Sequence, residues 1–214
     1  KLHKLGREYL IIEEANHVGG RVHSVYEQGY ILDRGFQVYN TAYKHGETML
    51  DYQDLDLCHF EPGAKIYHNS NFEIIHDPLK DISKIYQTLI SNTSTFLDKL
   101  KIIKMIIQLY NYNLSKDFQK DCSTLDFLKD YGFSDKFINT FFKPFFGGVF
   151  LEKELNTTSK FFKFVFSNFR IGSACIPKLG MQKIPNQIYE RLEMDSVFLN
   201  TKVKTIKDNV LTTD

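Results

Sequence analysis

The apolar positions of this 214-residue chain change rhythm twice. Leu2 and Leu5 stand at helical spacing before Gly6, the residue expected just past a helix C-terminus. Tyr9-Leu10-Ile11-Ile12 then forms a continuous apolar run with β-branched content, closed by Glu13-Glu14. A run bounded by glycine and by charge predicts a buried parallel strand. A helix ending into such a strand is the second half of a β-α-β unit, so the first strand and its glycine turn are expected upstream of Lys1. Residues 8–76 read as strand and loop, with Tyr30-Ile31-Leu32-Asp33, Lys65-Ile66-Tyr67 and Phe72-Glu73-Ile74-Ile75 as extended candidates. From residue 81 to about 172 the rhythm is helical. Leu97, Leu100, Ile103, Ile106, Ile107 and Tyr110 recur at three- and four-residue spacings, an amphipathic stripe over 96–113. Ser123 with Asp126, and Ser134, have the chemistry of helix caps. Pro144 and Gly147-Gly148 break the pattern, 159–169 is helical again up to Gly172, and 182–193 is the last helix. Short strands follow at 197–199, 203–206 and 210–213, with a further hairpin partner expected beyond Asp214. The pattern predicts an α/β layer interrupted by a helical insertion, divided at 1–76, 77–180 and 181–214.

Composition narrows the function classes. At 43% hydrophobic and 14% aromatic, the chain can bury a core and is not a disordered protein. A formal net charge of +1 supplies no broad positive field for nucleic acid. Cys58, Cys122 and Cys175 lack C-x-x-C spacing, which argues against a disulfide framework or a zinc site and makes a reducing compartment the default. No run approaches the roughly 18 apolar residues of a membrane span. The best candidate, 102–110, is interrupted by Lys104 and Gln108, which leaves peripheral membrane contact open. Residues 133–169 hold 12 of the 19 phenylalanines. They read either as the core of a helical subdomain or, in part, as the lining of a pocket for an apolar substrate.

Chemistry concentrates in 13–21. A carboxylate at the end of the second strand of a dinucleotide-binding unit can accept both ribose hydroxyls, and Glu13 and Glu14 compete for that role. Gly19-Gly20-Arg21 puts two glycines where backbone amides can approach a phosphate, with a fixed cation beside them. The seven histidines are scattered without ligand spacing, and Asp51, Asp54 and Asp56 read as an exposed helix or loop. Neither a metal site nor a general acid–base pair is indicated. Asp33 and Arg34 read as fixing the turn before Gly35.

The segment Ile12-Glu13-Glu14-Ala15-Asn16-His17-Val18-Gly19-Gly20-Arg21-Val22 resembles the second FAD-contact motif of the flavin-dependent amine oxidase, phytoene desaturase and protoporphyrinogen oxidase superfamily. That motif is a strand-terminal Glu followed six residues later by Gly-Gly-Arg. Counting back from Gly19 selects Glu13. Leu32-Asp33-Arg34-Gly35-Phe36-Gln37-Val38-Tyr39 is similar to the next family segment, whose backbone passes near the isoalloxazine, which implicates Gly35, Phe36 and Gln37. Pro144-Phe145-Phe146-Gly147-Gly148-Val149-Phe150 resembles a helix break of the substrate domain. Ile176-Pro177-Lys178-Leu179-Gly180-Met181-Gln182-Lys183-Ile184-Pro185 resembles the Pro-x-x-Gly-Met-x-x-Ile-Pro segment that precedes the return to the FAD domain. Val203 falls on the strand whose backbone contacts adenine.

The resemblance covers 1–214. The family's first Gly-x-Gly-x-x-Gly, which holds pyrophosphate at a helix N-terminus, and its C-terminal FAD segment with a flavin-side lysine have no counterpart in this sequence. It implies an α/β fold: a partial Rossmann-like FAD-binding domain, 1–76 and 181–214, around a mostly helical substrate domain, 77–180. It implies FAD as cofactor and hydride transfer from substrate carbon to flavin N5, with amine, polyene and porphyrinogen substrates all open. The protein's share of such chemistry is to bind, orient and exclude water. No catalytic residue is singled out. Residues 1–214 alone are expected to hold FAD weakly and to be inactive. The competing expectation is a non-catalytic truncated product, or a domain that binds an apolar ligand or partner through the Phe-rich helices.

Overall fold

The computed structural model describes residues 1–35, 37–68, 70–76, 94–110 and 112–214. Its strands are β1 (Ile11–Ile12), β2 (Val22–Glu27), β3 (Tyr30–Gly35), β4 (Tyr39–Asn40), β5 (Leu57–His59), β6 (Gly63–His68), β7 (Asn71–His76), β8 (Ala174–Pro177), β9 (Val197–Phe198), β10 (Val203–Lys207) and β11 (Val210–Thr213). Its α-helices are α1 (Lys44–Met49), α2 (Tyr52–Leu55), α3 (Phe96–Gln108), α4 (Thr124–Asp130), α5 (Asp135–Phe137), α6 (Lys143–Phe150), α7 (Ser159–Ile171) and α8 (Lys183–Tyr189). The chain divides into two compact units, Lys1–His59 with Ala174–Asp214, and Phe60–Ser173. The divisions fall at 59/60 and 173/174, whereas the sequence placed them at 76/77 and 180/181. Strand pairing moves both. β8 pairs with β4 and β5, and the β6–β7 hairpin packs on the helical segment 138–142.

In the first unit, the apolar run before Glu13 contributes two paired residues, with β1 lying parallel to β9. The parallel direction is as predicted, but the run is not fully buried: Leu10 is 68% exposed. A strand with one neighbour, in a two-stranded sheet, has little to cover its outer face. The helix predicted before it is a single 3-10 turn, His3–Leu5. β2 and β3 form a hairpin in full register from Val22↔Gly35 to Glu27↔Tyr30. Its turn residues Gln28 and Gly29 both have positive φ, 50° and 83°, as a two-residue primed turn requires. β8 is the middle strand of the β4-β8-β5 sheet. Tyr39, Cys175 and Met181 are buried at the centre of this unit, ringed by Val22, Tyr43, Leu50, Tyr52, Leu57, Ile176 and Ile184. β10 and β11 form a hairpin with every residue exposed.

In the second unit, caps set the helix starts. Thr95 and Asp98 form a reciprocal capping box on α3, and the side chains of Ser123, Ser134 and Thr158 accept N–H groups at the starts of α4, α5 and α7. Met105 and Ile106 are the buried apolar residues of α3, and Ile102 and the capping Leu109 pack partly buried beside Met105. Of the predicted stripe, Leu97, Leu100, Ile107 and Tyr110 are exposed instead. The helix is apolar on two sides, and a 3.6-residue period cannot choose between them. The predicted helical residues 81–93 lie outside the described ones.

Pro144 does not break the helix. α5 runs through a π segment, Ile138–Phe142, into α6, with Pro144 in its first turn. Proline lacks the N–H that an unbroken α-ladder needs there, and a wider turn just before it absorbs the loss. That segment also resolves where the phenylalanines point. Phe133, Phe137, Phe142, Phe146 and Phe162 are buried, and Phe141, Phe145, Phe150, Phe164, Phe166 and Phe169 pack half-buried around them. Phe137, Phe141 and Phe145 stack in a row that runs outward from the core at 5.3 and 5.7 Å between ring centroids. Most of the Phe-rich region is therefore core. Among the described residues no helix is long and apolar enough to cross a membrane.

Candidate functional site

β1 delivers Glu13 at its C-terminal end, the edge at which open α/β sheets bind nucleotides. The Glu13 N–H continues the ladder to the Phe198 carbonyl, and its own carbonyl accepts from Thr201 N–H, both at 2.9 Å. The half-buried Glu13 carboxylate accepts the Ala15 N–H through Oε1 at 2.8 Å. Among the described residues nothing bonds Oε2. Glu14 points into solvent and pairs with Lys202 at 2.6 Å. The two carboxylates that compete in the sequence are thus separated by environment, one inward and one outward. Val203 opens β10, opposite Thr213, with an exposed side chain.

The Gly-Gly-Arg turn closes through Val22 N–H to the Gly19 carbonyl at 2.9 Å. The two glycines differ in role. Gly19 has φ 105°, and a Cβ there would lie 2.5 Å from the Val22 carbonyl oxygen and 2.6 Å from Pro185 Cγ. Gly20 has φ 54° and faces open space. Arg21 is exposed, and among the described residues no carboxylate pairs with it. At the other end of the β2–β3 ladder, a Cβ on Gly35 would lie 2.5 Å from the Arg21 carbonyl oxygen. Gly35 therefore seats the chain against the turn. Gln37 is exposed and donates from Nε2 to the Asp33 carbonyl at 3.3 Å. Phe36 lies outside the described residues. A carboxylate oxygen and a guanidinium without partners among the described residues, with an open glycine between them in sequence, fit the ribose and phosphate of a dinucleotide.

Asp33 does more than fix a turn. Its Oδ1 accepts from Ser24 Oγ and, at 2.9 Å, from Met181 N–H, so it clamps the segment 180–182 onto the β2–β3 hairpin. Ser24 Oγ in turn accepts from Gln182 N–H at 3.0 Å. His17 and His23 are stacked, 3.8 Å between centroids and 6° between planes. Neither Ser24 nor Gln182 carries a sequence signal of its own. Only their nearness to the Gly-Met motif and to the Gly-Gly-Arg turn could have drawn attention to them.

The second unit holds a groove of about 280 Å³ lined by Ala64, Ile66, Tyr67, Thr140, Phe141, Pro144 and Phe145, among others. Phe141 and Phe145 give this groove an apolar side, and Lys65 and Thr140 give it a polar one. The unit also holds a buried ion pair, Lys163 Nζ to Asp117 Oδ2 at 3.1 Å, with both side chains under a tenth exposed. Burial pushes the Asp117 carboxyl up, but hydrogen bonds from Tyr112, Lys163 and the Gln119 N–H, with the Lys163 charge, outweigh it and hold the group at about 2. The Tyr112 phenol is driven up, by burial first and then by its 2.7 Å bond to Asp117. In the first unit, burial and the contact with Tyr52 likewise raise Tyr39. Among the described residues no His, Cys, Asp and Glu group could hold a metal.

The solved structures similar to this chain include a putrescine oxidase with redesigned cofactor binding, at TM-score 0.65 and 19% identity, covering 100% of this chain and 50% of that one. A putative protoporphyrinogen oxidase from Exiguobacterium sp. 255-15 matches at 0.59 and 15%, covering 96% and 50%. A reduced UDP-galactopyranose mutase matches at 0.56 and 12%, covering 96% and 46%. The likeness shows the fold, a partial Rossmann-like α/β domain with an inserted helical one, and the chain spans about half the length of these structures. No curated protein matches it. The model of the family described as flavin containing amine oxidoreductase matches residues 1–214, and the chain belongs to that family.

Proposed function

We infer that the protein is an FAD-dependent oxidoreductase, and that the first unit carries the nucleotide half of its cofactor site. One observation carries the reading: Glu13 ends a parallel strand with a carboxylate oxygen that nothing bonds among the described residues, six residues before the Gly19-Gly20-Arg21 turn, in which Gly20 faces open space and Arg21 has no carboxylate partner among the same residues. In this reading Glu13 accepts the ribose hydroxyls, while Gly19 shapes the turn. Gly20 lets the backbone approach a phosphate, and Arg21 neutralises it. In the same reading the segment of Gly35, Phe36 and Gln37 would serve the flavin ring, and the backbone at Val203 the adenine. FAD, when bound, supplies the hydride acceptor at N5 for a substrate carbon. The chain's own work is to bind, orient and keep water out.

The second unit is then the substrate domain, with its apolar groove for part of an amine, polyene or porphyrinogen substrate. The same groove would equally serve a non-catalytic protein that holds an apolar ligand or partner, and flavin content separates the two. The test is to express the full-length protein containing residues 1–214, record its visible spectrum, and titrate the apoprotein with FAD and FMN. FAD is expected to bind at least about ten-fold more tightly, because FMN lacks the adenosine ribose that Glu13 would hold. Equal affinities, or no flavin binding, overturn the reading.

A further inference from the structure

Gln182 is 7% exposed, and every polar atom of its side chain is engaged. Its Nε2 donates to the Val18 carbonyl at 2.8 Å and to Asn186 Oδ1 at 3.0 Å. Its Oε1 lies 2.6 Å from His23 Nδ1. Two oxygen acceptors at one end of the amide assign that end as nitrogen. Oε1 therefore faces His23 Nδ1, which donates to it. The backbone N–H of Gln182 reaches Ser24, the next residue of β2. One residue thus grips the carbonyl just before the Gly-Gly-Arg turn and the strand just after it. The surroundings reinforce the joint: Pro185 packs against Gly19, and the His17 ring lies flat on His23.

We propose that Gln182 is a positioning residue for the cofactor loop, holding the Val18 carbonyl and β2 at a fixed separation so that Gly20 and Arg21 keep the shape that receives a phosphate. The proposal rests on the assignment of residues 13–21 to FAD. A turn with an open glycine at φ 54° has little of its own to define it, because backbone freedom there is large. The order must come from what holds its two ends, and a buried amide with three satisfied bonds is a rigid spacer.

The same helix provides the comparator. Gln187 is 4% exposed and also makes three bonds. Its Oε1 accepts from Asp51 N–H at 2.8 Å, and its Nε2 donates to the Asp51 carbonyl at 3.0 Å and to Asp54 Oδ2 at 2.6 Å. Those bonds tie α8 to the start of α2 and leave the loop alone. Gln182→Met and Gln187→Met therefore remove similar bonding from similar burial, but only the first releases the turn.

The experiment compares both variants in the full-length protein by two measurements. The first is native-state trypsin cleavage after the exposed Arg21, followed by mass spectrometry. The second is apoprotein titration with FAD. Gln182→Met is expected to speed cleavage after Arg21 and to raise the FAD dissociation constant, each by about ten-fold or more, from loss of about three hydrogen bonds and local opening of the turn. Gln187→Met should stay within about threefold on both, although both variants melt earlier. If Gln182→Met fails to fold, His23→Phe keeps the ring on His17 and removes one bond to Gln182, and should shift both measurements about threefold in the same direction. Equal cleavage after Arg21 in the two glutamine variants overturns the proposal whatever the flavin result. Faster cleavage with unchanged FAD affinity also overturns it, since the loop held is then not one the cofactor uses. In this comparison the FAD assignment of residues 13–21 itself falls if Glu13→Ala leaves affinity unchanged as well.

Discussion

Glu13→Ala is the substitution that asks most of the proposed site. Of the Glu13 carboxylate, Oε1 is partly occupied by the Ala15 N–H, and Oε2 is the free acceptor for the ribose. Hydrogen bonds to a charged acceptor are worth about 1.5–3 kcal/mol each, so losing one or two weakens FAD binding by roughly one to four decades. The side chain is only half-buried, and water can enter the space it leaves, which favours the lower end. The orphaned Ala15 N–H destabilises free and bound protein alike and does not enter the affinity. Glu14→Ala is the control. Its side chain is 65% exposed and its partner is Lys202, an exposed pair worth at most about 1 kcal/mol of stability. On an extended chain its side chain points away from that of Glu13, so FAD affinity should stay within about threefold. Quenching of flavin fluorescence on titration into apoprotein measures both. If Glu14→Ala loses FAD and Glu13→Ala does not, the register is off by one residue. If neither loses it, the dinucleotide assignment of this strand is refuted.

Three further outcomes follow from the packing and the buried charge. Gly20→Ala should cost about 1–2 kcal/mol, the penalty of a left-handed residue in open space. Gly19→Ala should cost clearly more in the same thermal melts, because its Cβ would collide with the Val22 carbonyl and Pro185; equal costs would refute the division of roles between the two glycines. In the second unit, Lys163→Met strands Asp117 in the interior and should destabilise by about 3–5 kcal/mol in denaturant titration. The Asp117 carboxyl is held below its ordinary value, at about 2, so its contribution is complete above the unfolded value near 4 and is lost as pH falls toward 2. Asp117→Asn should accordingly flatten the acid limb of the melting-temperature profile between about pH 4 and 2, and an unchanged acid limb would refute that role.

What the sequence disclosed was local chemistry, and what it hid was pairing at a distance. Ser123 and Ser134 were legible as caps because a hydroxyl three residues before an orphan N–H is a local relation. The extended segments around 65–75 and 203–213 were legible from local composition, and their pairing as hairpins came from the fold. β2 was not, since Val22-His23-Ser24-Val25-Tyr26-Glu27 alternates too weakly to declare a strand and is defined by its partner β3. β8 was hidden altogether, because its neighbours β4 and β5 lie more than a hundred residues away in sequence. The π segment before Pro144 was misread as a helix break, because proline announces a missing donor without saying how the backbone absorbs it. At the candidate site, counting back from Gly19 chose the carboxylate that the fold turns inward. Gln182 escaped notice because an amide has no signature and its contact with Ser24 spans 158 residues.

That distance bears on how the cofactor loop takes its shape. Among the described residues, every backbone constraint on 13–19 that reaches beyond the loop comes from the returning segment. Thr201 holds the Glu13 carbonyl, Asn200 the Ala15 carbonyl at 3.0 Å and Gln182 the Val18 carbonyl, while Pro185 closes on Gly19. The loop's own bonds are few: the Glu13 carboxylate to Ala15, His17 to the adjacent carbonyl and the closure at Val22. A loop so supplied cannot be set by its own sequence when the chain first passes through it. Its glycines keep it permissive, and permissive backbone is disordered until something outside fixes it. The inserted unit therefore separates the residues that would touch FAD from the residues that give them their shape. On the proposed assignment, the Gly-Met-Gln stretch belongs to the site as much as the Gly-Gly-Arg turn does, because without it Glu13 would stand on its strand beside a turn of no fixed form.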